Sequence, residues 1–168
     1  LSVRVSILDD ESRNHHPSDT PDVETSALIR VRGRSSRYFD KHNYLLRFTD
    51  GDGSYANYGV MGMDAHYEWA LHGPFLDKTL VRNYLWYNIA GEMMEYAPNV
   101  RFCEVILNGA YQGVYLMTET ITNGEDSRVN VSEPVDNSTS TGYVLRLDQG
   151  SRTDLKNISN FTYYTYRI

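Results

Sequence analysis

The dipeptide Asn108-Gly109 limits the fold more than any other feature of this chain. It separates two runs, Arg101 to Leu107 and Gln112 to Thr118, that are rich in β-branched and aromatic residues. Asn and Gly tolerate the left-handed φ that a two-residue hairpin turn requires, so the sequence predicts antiparallel strands here. Other strands fit around it. Ser2 to Leu8 alternates Val3, Val5 and Ile7 with polar residues, and Ala27 to Arg34 alternates in the same way. Tyr44 to Phe48 is a third run, and Trp69 to Leu71 a short fourth. Asp9 to Ser26 is polar, carries two prolines and reads as a loop; Asp50 to Ser54 (DGDGS) reads as a turn. Val129 to Val131 and Gly142 to Asp148 are further strands. Val135 to Thr141 is a polar loop, and Asn157 to Ile168 is a tyrosine-rich terminal strand candidate.

One helix is expected. Apolar residues at Leu80, Val81, Leu85, Ile89 and Met93 approach helical spacing, which predicts a helix from Asp77 to about Glu95, ended before Pro98. Asp77 is placed to accept hydrogen bonds from free N–H groups at the helix start. Lys78 and Arg82, four apart, are expected on one helix face. Tyr84, Trp86 and Tyr87 read as packing residues. Strands, a hairpin and one long helix give an α+β domain with a mainly antiparallel sheet. The 168 residues suit a single domain.

Charge and composition narrow the chemistry. The net charge is −6, which argues against general nucleic-acid binding. Cys103 is the single cysteine and has no internal disulfide partner. No apolar run approaches the length of a membrane span. His15, His16, His42, His66 and His72 lie at no zinc-ligand spacing with Cys or Glu. DGDGS lacks the acidic twelfth position of a calcium loop, where Met61 stands. There is no P-loop and no GxSxG. Asn130, Asn137, Asn157 and Asn160 begin Asn-x-Ser/Thr triplets, which matter only in a glycosylating host. The RGxSS stretch, Arg32-Gly33-Arg34-Ser35-Ser36, and the DKTLVRN stretch, Asp77 to Asn83, together point to a site for an anion such as phosphate.

Six segments, in order, resemble the CotH family of spore-coat protein H kinase-like proteins. They are RVRGRSSRYFDKHNYLLRF (Arg30 to Phe48), GVMGM with EWAL (Gly59 to Leu71) and GPFLDKTLVRNYLWYNIA (Gly73 to Ala90). Then come APNVRFCEVILNGAYQGVYLMTETI (Ala97 to Ile121), RVNV (Arg128 to Val131) and GYVLRLD (Gly142 to Asp148). The resemblance implies an atypical protein-kinase-like fold, with this chain supplying the small lobe and hinge and the large lobe truncated. It implies ATP with Mg2+ or Mn2+, transfer of phosphate to Ser of secreted or surface proteins, and a secreted, spore-coat or cell-surface setting. A non-catalytic adhesion or interaction module, or a structural module of a cellulosome-type complex, is the alternative.

Phosphoryl transfer needs cations on the triphosphate and carboxylates for metal and proton. By the resemblance, Arg32, Gly33, Ser35 and Ser36 form the phosphate-covering turn and Arg47 is the strand cation, partnered by Glu92 or Glu95. Lys78 and Arg82 add charge or lock the helix to the turn. Glu119, within Thr118-Glu119-Thr120, lies at the hinge. Asp148 is the candidate metal ligand, and the catalytic aspartates are expected downstream of it. The isolated chain is expected to be inactive. Each assignment has a plainer alternative: Gly33 serving a tight turn, Arg47 a solvated cation, Asp77 a helix cap, Arg82 a structural ion pair, Glu119 a strand-end carboxylate.

Overall fold

A computed structural model of the chain describes residues 1–10, 12–122 and 128–131. The chain divides into two compact units, Leu1–Ile121 and Thr122–Ile168. Of the second, Thr122 and residues 128–131 are described, with Val129 in an isolated bridge. The strand expected over residues 142–148, with Asp148, and the loop and terminal strand expected around it lie outside the described residues.

The first unit is built on strands. They are β1 (Ser2–Ile7), β2 (Val23–Arg32), β3 (Asn43–Thr49), β4 (Tyr58–Val60), β5 (Met63–His66), β6 (Glu68–His72), β7 (Val100–Leu107) and β8 (Ala110–Glu119). A 3-10 turn spans Ser35–Tyr38, and the helix α1 spans Arg82–Met93. Six strands form one sheet in the order β1-β2-β3-β6-β8-β7, every pairing antiparallel. β4 and β5 form a separate two-stranded hairpin.

The Asn108-Gly109 hairpin forms as its sequence requires: both residues have positive φ, 50° and 78°, and Leu107 pairs with Ala110. β2 starts four residues earlier than expected, inside the stretch read as loop. Its alternation extends back to Thr25, which faces inward with Ala27. The β4–β5 hairpin was not anticipated. Its turn places Met61 and Gly62 at φ 51° and 66°, the same left-handed pair that Asn-Gly supplies. A Met in that position carries no turn signal in sequence.

One face of the sheet holds the main buried cluster. Ala27, Leu46, Phe48, Trp69, Leu71, Tyr115 and Met117 pack there, and the β4–β5 hairpin adds Val60 and Met63. Trp69 is fully buried and donates its indole N–H to the His66 carbonyl at 2.9 Å, so its polar group is satisfied within apolar packing. Cys103 borders this cluster, and burial pushes its thiol up to about 11, which keeps it protonated and unreactive.

This architecture corrects the expected fold. The unit is a half-barrel of mostly antiparallel strands with a single helix of 12 residues, not a kinase-like α+β fold with a long helix. The helix falls short at its start for a local reason. Leu80 has φ 64°, a left-handed conformation that cannot continue an α-helix. Its N–H bonds the Asp77 carbonyl at 3.1 Å, closing a turn before Arg82. At the other end Met94 is extended. Periodicity of apolar residues extends beyond the residues that adopt the helix, because it reports a face and not a backbone conformation.

Candidate functional site

Register decides which of the candidate residues meet. On β2 and β3, Arg32 stands opposite Asn43 and Leu28 opposite Arg47. Asn43 and Arg47 are four residues apart along β3, about 13 Å at the usual strand rise. Arg32 and Arg47 therefore share a face of the sheet but occupy opposite ends of it.

At the Arg47 end the charges are matched. Arg47 donates from Nε to Glu68 Oε2 at 2.6 Å and from Nη1 to the Tyr55 hydroxyl at 3.2 Å. Glu68 is its cross-strand neighbour on β6. The anticipated helix partners, Glu92 and Glu95, are not its carboxylate. The Arg47 fork is occupied on both sides, so it fits a structural ion pair better than a phosphate clamp.

At the Asn43 end two separated stretches converge. After Arg32 the chain turns at Gly33, whose φ of 108° disfavours any side chain. A Cβ on Gly33 would lie 2.1 Å from Ser36 Oγ. The missing side chain thus lets the Ser36 hydroxyl fold back over the turn. Residues 35–38 continue as the 3-10 turn, with Ser35 exposed and Ser36 half-buried. Phe39, just beyond, stacks on Phe75 with ring centroids 5.0 Å apart. This stack ties the RGxSS stretch to the segment before α1. Asn43 adds a second tie, its Oδ1 accepting from the Gly73 N–H at 2.8 Å.

The DKTLVRN stretch is a cap as much as a site. Asp77 accepts from the Thr79 N–H at 3.0 Å and the Arg82 N–H at 2.9 Å, so it caps α1 from five residues upstream. These bonds, the Thr79 hydroxyl first, hold its carboxyl below 3.8. Arg82, exposed at the first position of α1, lies 3.5 Å from Asp77 through Nε. Lys78 is in the turn, not on the helix, so the two cations do not share a helix face. Its ammonium donates to the Phe75 carbonyl at 3.0 Å and sits 5.0 Å from the Phe75 ring centroid.

Glu119 is buried, and its carboxylate accepts from the Asn99 N–H at 2.7 Å. Its own N–H bonds the Asn99 carbonyl at 3.0 Å. It therefore closes the ladder between β8 and β7, a strand-end role.

What remains at the Asn43 end is a run of basic residues close in sequence. Arg30, Arg32, Arg34, Arg37 and Lys41 fall within residues 30–41, where Asp40 is the acidic residue. Arg30, Arg32 and Arg37 are exposed. His72, opposite Leu116 on the next strand pair, is held below its ordinary 6.5 by burial and then by the charge of Arg32, with Asp77 opposing them. In a chain of net charge −6, five of the 12 residues 30–41 are basic and one, Asp40, is acidic, a local bias that favours an anion.

The sequence and this geometry agree with a comparison to known families. The chain matches the CotH family, described as CotH kinase protein, over residues 29–166. This chain belongs to the CotH family. No curated protein matches it. The CotH match begins just before the basic corner and includes both stretches that build it.

Whether the described residues suit ATP and a divalent metal divides in two. Uncommitted guanidinium groups and the Gly33 turn suit a polyphosphate. No three His, Cys, Asp or Glu side chains among the described residues are grouped to hold a metal ion. Arg32, Arg37 and Ser36 are the groups that would meet phosphate, and no step is assigned to a metal here. No helix among the described residues is long and apolar enough to cross a membrane. Lys41, which packs against Gly73, is a cation that sequence reasoning passed over, because its loop position gives no periodic signal.

Proposed function

We propose that this CotH chain carries the phosphate-holding part of an ATP-dependent protein kinase that acts on Ser of secreted or surface proteins. The observation that carries the reading is the convergence of the Gly33 turn and the segment before α1 beside uncommitted arginines. Those arginines orient and neutralise a triphosphate, which is most of what a protein must supply to phosphoryl transfer. Carboxylates outside the described residues, Asp148 among the candidates, would hold a metal, which would supply further neutralisation of phosphate charge. Arg47 and Glu119 have structural roles in this reading, while Lys78 and Arg82 brace the turn that caps α1.

Calorimetric titration with ATP and Mg2+ or Mn2+ tests it. Saturable binding that weakens in an Arg32→Ala/Arg37→Ala variant, and persists in Arg47→Ala, supports the reading. A flat titration removes it. In its place would stand the non-catalytic interaction module, which α1 favours: Leu85, Trp86 and Met93 are 50%, 65% and 80% exposed, while Tyr84 stacks on Phe102 at 4.7 Å. Exposed Trp is common at protein interfaces.

A further inference from the structure

We propose that Lys41 is a phosphate-binding lysine, its ammonium seated over Tyr115 between Gly73 and Gly113 to receive the polyphosphate of a nucleotide. The proposal deepens the functional reading above and rests on it for the identity of the ligand.

The seat is sterically specific. Lys41 Nζ lies 4.6 Å from the Tyr115 ring centroid. Side chains are excluded on both flanks: a Cβ on Gly73 would lie 2.9 Å from Lys41 Cγ and 3.0 Å from Tyr115 Cε1, and one on Gly113 3.3 Å from Lys41 Nζ. Gly113 also has φ 83°, so two independent features keep that position free of a side chain. The lysine stem is thereby held against the ring, and its head is fixed in place. Tyr115 itself is buried.

The electrostatics are incomplete. Lys41 has no carboxylate within ion-pair distance among the described residues, whereas Arg47 has Glu68 and Arg82 has Asp77. Burial alone lowers its affinity for a proton, with nothing raising it. Withdrawing an ammonium from water is costly unless an anion or good acceptors replace the water. The aromatic face returns only part of that. An arriving phosphate would complete the site, and Lys41 follows the RGxSS turn in the same loop.

Lysine acylation by acetic anhydride, read by mass spectrometry, tests this on the unaltered chain. Lys41, Lys78 and Lys156 are its lysines, so each is scored separately. ATP with Mg2+, pyrophosphate and adenosine are compared at millimolar concentration. The expected result is slowing of Lys41 acylation by about fivefold or more with ATP and pyrophosphate, none with adenosine, and little change at Lys78. Lys41→Met should weaken ATP binding about tenfold while Lys41→Arg retains most of it. Protection by pyrophosphate without ATP binding would keep the phosphate site and remove the nucleotide. ATP binding with unchanged Lys41 acylation, and full affinity in Lys41→Met, would overturn the role of Lys41 and leave the kinase reading standing. No protection by any phosphate compound overturns it as well.

Discussion

The two ends of strand β3 carry cations of opposite fate. At one end Arg47 is held by Glu68 and Tyr55, in a site assembled from β3, β6 and the loop before β4. At the other, Asn43 bonds Gly73 and stands opposite Arg32, and Lys41 packs against Gly73; neither cation has a carboxylate in ion-pair distance among the described residues. The same residue types on the same sheet are structural in one place and available in the other. The difference lies in what stands across the ladder. Glu68 faces Arg47, while Asn43 faces Arg32. A cation becomes a candidate ligand group only when the fold leaves it without an anion of its own.

The sharpest way to break this contrast is at Gly33. Gly33→Ala forces a side chain into φ 108° and against Ser36 Oγ. It should cost about 2 kcal/mol and weaken phosphate binding, seen as a lower denaturant midpoint and a flatter titration. An unchanged midpoint would mean that the turn relaxes freely and presents nothing fixed. Next in size, Arg32→Ala/Arg37→Ala should reduce ATP affinity about tenfold, about 1.4 kcal/mol. Its melting temperature should stay near that of the parent, because neither side chain is committed to the fold. Loss of stability without loss of affinity would reverse the assignment of the two ends.

Glu68→Gln addresses the matched end. Its carboxylate is 12% exposed and Arg47 38%, so solvent screens the pair in part. About 1 kcal/mol of destabilisation is expected in chemical denaturation, with ATP affinity unaffected. A fall in affinity would bring the Arg47 end back as part of the ligand site.

The smallest effect is on protonation. Burial holds His66 and His72 below 6.5, so the unfolded chain takes up protons before the folded one. The stability they contribute is complete above pH 6.5 and is lost as the pH falls through their lower folded values. Thermal melts from pH 8 to 5 should decline gently over that window. Arg32→Ala should move the His72 titration upward in an NMR series and leave His66 where it is. Equal movement of both would show that the field of the basic corner is not local.

Much of the sheet was legible because strands advertise themselves by alternation. Val3, Val5 and Ile7, the Ala27 to Arg32 run and the Asn108-Gly109 hairpin each carry a period-two signal or a turn that few residues can make. The β4–β5 hairpin was missed because Tyr58–Val60 is three residues long, too short to show a period, and its turn uses Met61. The helix was overextended because Leu80 and Val81 continue an apolar spacing that their backbone does not follow. At the site, the segments flanking the RGxSS and DKTLVRN stretches meet through Phe39 on Phe75, while Lys78 and Arg82 bond within their own stretch. Arg47 lies at the other end of β3 from Arg32, against Glu68, which its position within a strand could not reveal without the register of its neighbours.

The sequence by itself determined the elements whose causes are local: the hairpin turn, most strands, the glycine that lets Ser36 fold back and the Asp77 cap. It also determined the family, through motifs that share an order. Only the tertiary structure decided which charges are paired. Ion pairs such as Arg47 with Glu68, 21 residues apart, and seats such as that of Lys41 against Gly73 and Gly113 depend on strand order and register. Those are set by the burial of Trp69, Phe48 and Tyr115, a collective property that no short window of sequence contains.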